Sequence, residues 1–273
     1  MTTHAWLPHS GCSAACLPDA AARRGLGALR VALRFPALLA VLSAFALLVV
    51  PVPGRPALQR ALCRALLRCL GIRVAVTGGP VRNVAGVLVV SDHVSWVDAV
   101  VIAAVMPGTF VARADLLTWP ALGALARRTG VIPIDRASLR GLPAVVTAVA
   151  ARLGAGRTVV AFPEGTTWCG RSRGTFAPAM FQAAIDAGRP VQPLRLAYRD
   201  GAGAASTVPA FVGDDTLLRS VLRTIRAGRT VAELEVASLQ LPGADRRNLA
   251  ARCQREVRGP VASRRVTGSA VAA

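Results

Sequence analysis

The sequence predicts an α/β protein, a largely parallel sheet flanked by helices, with an N-terminal membrane-anchoring helical segment. Three observations predict it. Short Val- and Ile-rich runs alternate with longer helical patterns from residue 84 to 236. An uncharged stretch, Phe35 to Val52, consists mostly of Ala, Leu and Val. Hydrophobic residues make up 53% of the 273 positions and charged residues 17%, a composition that excludes disorder and leaves room for one large domain plus an appendage.

Residues 1–22 are mixed and small, and are expected to be disordered. Arg23, Arg24, Arg30 and Arg34 then form a basic flank ahead of the apolar stretch. At 1.5 Å per residue the 18 residues from Phe35 to Val52 span roughly 27 Å, enough for a membrane core. Pro51-Val52-Pro53-Gly54 stops the helix. A cleaved signal peptide is the competing reading, but Arg55-Pro56 follow where a small-residue cleavage site is needed. From Ala57 to Leu70, Arg60, Arg64 and Arg68 recur every four residues among leucines. This is a basic amphipathic helix, either an ordinary surface helix or, beside an apolar stretch, an interfacial one. Residues 23–71 therefore read as the membrane anchor. Arginines at both ends leave a single span and a hairpin in one leaflet open.

The main domain covers residues 72–240. Strands are expected at Val84–Val90, Thr109–Ala112, Gly130–Ile134, Thr158–Phe162, Val191–Ala197 and Val231–Val236. Helices are expected at Ser95–Val105, Leu116–Arg128, Leu142–Leu153 (closed by Gly154) and Pro178–Ala187 (closed by Gly188). Residues 241–273 hold a last helix over 245–257 and a loose tail.

Net charge is +19, and all 33 basic residues are Arg. That sign favours anionic partners such as phospholipid headgroups, phosphate-bearing substrates or nucleic acid. Aromatics are only 4% and no nucleic-acid-binding motif is present, which argues against the last. The six cysteines (12, 16, 63, 69, 169 and 253) lack metal-ligand spacing, so reduced thiols and no metal site are expected.

The chemistry concentrates in two segments. The first is Ser91-Asp92-His93-Val94-Ser95-Trp96-Val97-Asp98. In one continuous helix His93 and Asp98 would point about 140° apart. They meet only if His93 lies in the loop before the helix and Asp98 in its first turn. Ser95-x-x-Asp98 has the form of a capping box and supplies that start. A neutral imidazole there could take a proton from a hydroxyl, with Asp98 fixing its tautomer; a capping role for Asp98 alone is the plainer reading. His4 and His9 lie in the loose N-terminus.

The second segment is Phe162-Pro163-Glu164-Gly165-Thr166, a stiffened turn whose glycine lets a ligand approach the backbone. A polar turn without a ligand is the alternative. Both segments follow strands, where open parallel sheets form their crevices. Arg113, Arg136, Arg171 and Arg173 also follow strands or these turns, and guanidinium forks match phosphate oxygens.

Together these motifs resemble the glycerolipid acyltransferases, specifically the 1-acylglycerol-3-phosphate (lysophosphatidate) O-acyltransferase family. His93-Val94-Ser95-Trp96-Val97-Asp98 matches the first family motif, Gly130 to Arg136 the second, Phe162 to Thr166 the third and Val191-Gln192-Pro193-Leu194 the fourth. The resemblance implies transfer of a fatty acyl group from acyl-CoA or acyl-carrier protein to a glycerolipid hydroxyl, without a cofactor. It implies His93 as general base, Asp98 as its partner, and Arg136, Glu164, Gly165, Thr166 and Arg171 around the phosphate-bearing acceptor. It also implies work at the cell membrane, among membrane phospholipids, with the catalytic domain facing the cytoplasm. Other acceptors (glycerol 3-phosphate, another lysophospholipid, a lyso-aminolipid) and a non-catalytic basic membrane-binding protein are the rivals. Two departures stand out. Asp92 replaces the common Asn before the histidine, and Thr167-Trp168-Cys169 intervene before Arg171 where the family often has Arg directly.

Overall fold

A computed structural model describes residues 7–18, 26–50, 53–79 and 85–259. The expectations for residues 1–6, 19–25 and the tail from 260 fall outside these, as do Pro51-Val52 and the first residue of the strand expected from Val84.

Helix α1 (Gly27–Ala44) continues as a 3₁₀ turn, Phe45–Val49. Then come α2 (Arg55–Cys69), β1 (Ile72–Gly78), β2 (Leu88–Ser91), α3 (Trp96–Val105) and β3 (Thr109–Arg113). The remainder is α4 (Pro120–Thr129), β4 (Ile132–Ile134), α5 (Leu142–Gly154), β5 (Val159–Ala161), α6 (Ala179–Asp186), β6 (Val191–Asp200), α7 (Leu217–Arg226), β7 (Thr230–Val236) and α8 (Arg246–Arg258). The seven strands form one sheet in the order β1-β7-β6-β2-β5-β3-β4. Every pairing is parallel except β6 with β7. The predicted α/β class with a largely parallel sheet is the fold observed.

Strand β2 shows why. All four of its residues are buried, and Leu88 and Val90 face one core while Val89 faces the other. A strand covered on both faces reads as an unbroken apolar run. One core packs α2 and α3 against the sheet; the other packs α5, α6 and α8.

Two elements lie outside the sequence expectations. β1 is an edge strand whose later residues are exposed, so Arg73 and Thr77 interrupt its apolar pattern. α7 has its buried stripe built from Ser220, Thr224 and Ile225, between Arg219, Arg223 and Arg226. A third difference has a clear cause. The helix expected over 116–128 is divided into a 3₁₀ turn, Ala114–Thr118, and α4, because Pro120 has no N–H to continue a helix but suits a first helical position.

The N-terminal region is joined to the domain. α2 buries Leu62, Cys63, Leu66 and Leu67, while Arg64 and Arg68 stay exposed. α1 lies on α2 and α7. Arg34 Nη1 donates to the carbonyls of Ile225 (2.9 Å) and Ala227 (3.0 Å), satisfying the C-terminal end of α7. Gly27–Leu48 is long and apolar enough to cross a membrane, with mean hydropathy 2.2 and 11% of its 18-residue apolar window buried. Leu29, Leu33, Leu39, Leu42 and Leu47 are exposed along it. Residues 7–18, expected to be loose, instead form a strap on the domain. Cys12 is buried against Cys169, and Ser13 lies beside Gly213.

Candidate active site

His93 stands where β2 stops and α3 begins. Ser95 takes extended backbone angles and caps α3. Its hydroxyl accepts from the Val97 N–H at 3.2 Å, and the Asp98 carboxylate accepts from the Ser95 N–H at 2.8 Å. The capping box read from the sequence is present, and it places Asp98, in the first turn, against the loop that carries His93.

His93 Nδ1 lies 2.9 Å from Asp98 Oδ2. A carboxylate only accepts, so Nδ1 carries the proton and Nε2 presents a lone pair. Oδ2 also accepts the Val94 N–H at 2.6 Å, while Oδ1 accepts the Tyr198 hydroxyl at 2.6 Å. Asp98 is thus saturated with donors and fixed in direction. Burial and the Asp98 charge push the Tyr198 phenol well above its ordinary pKa, so it remains a donor. The imidazole stacks on Phe162, with ring centroids 4.0 Å apart and planes at 12°. Nε2 has no hydrogen-bond partner among the described residues.

Glu164 is fully buried. Its Oε2 accepts the His93 N–H at 2.8 Å; its Oε1 accepts the Gly174 N–H at 2.7 Å and Arg258 Nη2 at 3.2 Å. Burial, with the nearby Asp92 carboxylate, raises its pKa to about 7 against the hydrogen bonds and Arg258. Asp92, the departure noted in the sequence, pairs with Arg173 Nε at 3.4 Å and Arg258 Nη2 at 3.5 Å. Burial raises the pKa of this carboxyl too, opposed by both arginines.

Further main-chain bonds brace the loop. Trp168 N–H donates to the His93 carbonyl at 2.8 Å, and Phe211 N–H to the Val94 carbonyl at 3.0 Å. Gly165 has φ +70°, and a Cβ there would come within 2.6 Å of Pro8 in the strap. Thr166 is half-buried beside it.

The structure therefore brings His93, Asp98, Glu164 and Gly165 together. Arg136 and Arg171 share no hydrogen bond with them among the described residues. Arg136 follows β4, on the same sheet edge but three strands from β2, roughly 14 Å at about 4.8 Å per strand. Burial and neighbouring Arg113 lower its pKa to about 10, with Asp115 opposing. A partly desolvated guanidinium beside another cation gains from an anion. Arg171 is exposed.

Sequence reasoning missed Tyr198, Arg258 and the Phe162 stack. Tyr198 left a signal, being the only tyrosine of the chain and lying in an apolar strand. Arg258 left none, since nothing local marks one arginine of the last helix.

Residues 73–197 match the family model described as Acyltransferase. Over 208 residues the chain is 35% identical to a lyso-ornithine lipid O-acyltransferase of Pseudomonas aeruginosa, spanning 76% of this chain and 79% of that protein. This chain belongs to the acyltransferase family. It is also 36% identical over 148 residues to a 1-acyl-sn-glycerol-3-phosphate acyltransferase of Neisseria meningitidis, spanning 54% of this chain and 58% of that one. The fold matches the crystal structure of the 1-acyl-sn-glycerophosphate (LPA) acyltransferase PlsC from Thermotoga maritima. The TM-score is 0.51 at 17% identity, covering 82% of this chain and 94% of that one. The part matched to the family model contains His93, Asp98, Arg136 and Glu164 and stops one residue before Tyr198.

Proposed function

We propose that this acyltransferase moves a fatty acyl group from acyl-CoA or acyl-carrier protein to the free hydroxyl of 1-acylglycerol 3-phosphate, giving phosphatidate. The observation that carries the reading is the imidazole itself: Nδ1 tied to a donor-saturated carboxylate, Nε2 unpartnered. His93 Nε2 takes the hydroxyl proton as the oxygen attacks the thioester carbonyl. The C–S bond then breaks, and the departing thiolate receives that proton from the imidazolium. A thioester is already activated, so the chemistry calls for no cofactor.

Asp98 and Tyr198 act as positioning residues, as does Glu164, which ties the His93 loop to the loop after β5. Gly165 and Thr166 line the acceptor side. Arg136, with Arg171 nearer the turn, receives the phosphate. The outward leucines of α1 rest in lipid, and Arg64 and Arg68 face anionic phospholipid headgroups, so the acceptor is taken without leaving the membrane. The catalytic domain then works from the cytoplasmic side, where the thioester donors are made.

A lyso-ornithine lipid acceptor is the second reading. It is favoured by the Pseudomonas relative. Thiol release from one acyl-CoA with each acceptor in detergent separates the two. The first reading expects lysophosphatidate to be preferred and Arg136→Ala to raise its KM at least about tenfold, as loss of a charge-assisted contact does. Preference for lyso-ornithine lipid replaces it with the second, and turnover of neither lipid rejects both.

A further inference from the structure

Cys12 and Cys16 belong to the strap, and Cys169 follows the Glu164–Thr166 turn, 157 residues beyond Cys12. Their three Sγ atoms all lie within 4.8 Å of one another. Sequence spacing gave no metal site because the third sulfur is brought in only by the fold.

Three thiols packed as small apolar groups would need nothing more. These sulfurs, however, are met by donors. Cys12 Sγ accepts the Cys169 N–H at 3.3 Å. The backbone N–H groups of Ser172 and Arg171 and the thiols of Cys12 and Cys16 likewise face the Cys169 sulfur. Main-chain N–H groups aimed at sulfur stabilise a thiolate, the form that binds metals. By contrast, Cys63 and Cys253 are buried core thiols outside this cluster.

We propose that Cys12, Cys16 and Cys169 form a three-thiolate site for a thiophilic d¹⁰ metal ion, which fastens the N-terminal strap to the loop after the catalytic turn. Metal–sulfur bonds of about 2.3 Å set sulfur–sulfur separations of roughly 3.8 to 4.0 Å, so closure takes less than about 1 Å of side-chain adjustment. No His, Asp or Glu joins the cluster among the described residues. Cys16 is half-exposed, leaving a side open to solvent. That donor set fits Zn²⁺ with a water as fourth ligand, or three-coordinate Cu(I). Three thiolates are an uncommon charge to gather, and the net charge of +19 with Arg171 in the adjoining loop offsets it. The ion has no part in the acyl transfer. It holds the segment that lays Pro8 against Gly165.

The test uses the full chain in detergent, reduced and stripped of metal. Titration with Co²⁺ is expected to give thiolate-to-metal charge-transfer absorption saturating at one ion per chain and displaced by Zn²⁺. A parallel titration with Cu(I) against a chromophoric chelator decides between the two ions; binding of either supports the site. Cys12→Ser, Cys16→Ser and Cys169→Ser should each weaken binding by roughly tenfold or more, whereas Cys63→Ser and Cys253→Ser leave it unchanged. Cys16→Ser is the least disturbing of the three, and an unchanged metal-free melting curve shows that a ligand, not the fold, is lost. In the unmutated chain, bound metal should protect Cys12, Cys16 and Cys169 from alkylation. Absence of binding by Co²⁺, Zn²⁺ and Cu(I), binding that survives in all three variants, or loss of two free thiols to a disulfide without bound metal overturns the proposal.

Discussion

Asp98 receives four hydrogen bonds, from His93, Val94, Ser95 and Tyr198. Its negative charge is therefore held at one place, and the imidazole has one orientation to take. Removing the Tyr198 hydroxyl frees Oδ1 while leaving the ring in its buried slot. Tyr198→Phe is expected to lower kcat about tenfold, with KM for the lipid little changed, because roughly 1–2 kcal/mol of positioning is lost. Steady-state kinetics on purified protein checks this, and a change confined to KM would instead place Tyr198 in binding. Ser95→Ala removes the side-chain acceptor that caps α3 through the Val97 N–H and should cost about 1 kcal/mol of unfolding free energy in urea. Glu164 presents a different case. Its carboxyl pKa is raised by burial to about 7, above the usual 4.5. The folded protein therefore binds that proton more tightly than the unfolded chain does. The stabilisation is complete below about pH 4.5 and is lost as pH rises towards 7. Denaturation midpoints between those pH values should fall for the parent, with a smaller fall in Glu164→Gln; an equal fall in both assigns the effect to Asp92, whose pKa is raised in the same direction.

At the scale of elements, the sequence revealed most where local pattern and burial agree. β5 and the first three residues of β2 are continuous apolar runs because both faces are covered, and the Ser95–Asp98 box announced the start of α3. The site was legible to the same extent: His93, Asp98 and the Glu164 turn sit on strand ends and helix starts that local signals mark. What escaped depends on chain segments far apart. Tyr198 reaches Asp98 from β6, Arg258 reaches Glu164 from the last helix, and Cys12 reaches Cys169 from the strap. No periodicity encodes such meetings. α2 shows a related limit, since its arginine spacing describes the exposed face but not that its leucines pack on α3. For α1 the exposed leucines make a direct prediction. Leu33→Asp with Leu39→Asp should reduce co-sedimentation with anionic vesicles at least about fivefold, given roughly 1.5–3 kcal/mol per apolar side chain withdrawn from lipid. The His93 geometry lies elsewhere, so thioester turnover with a detergent-solubilised acceptor should persist.

For the whole molecule, a parallel sheet places four strand ends on one edge, and the chemistry follows from that. β2 supplies His93, β5 the Glu164 turn, and β3 and β4 the arginines at 113 and 136. α1 and α2 hold an exposed apolar and basic surface against the same domain, with Arg34 as the tie to α7. The strap of residues 7–18 reaches the Glu164–Gly165 turn from the other end of the chain. In the proposed reaction this arrangement brings a membrane-resident acceptor and a soluble thioester to one imidazole. The most direct measurement is single-turnover thiol release from an acyl thioester with lysophosphatidate, comparing His93→Ala with the parent chain at equal folded concentration. Loss of rate by about 10²–10⁴ is expected, the contribution of a positioned general base; release that continues at the parent rate would contradict the account.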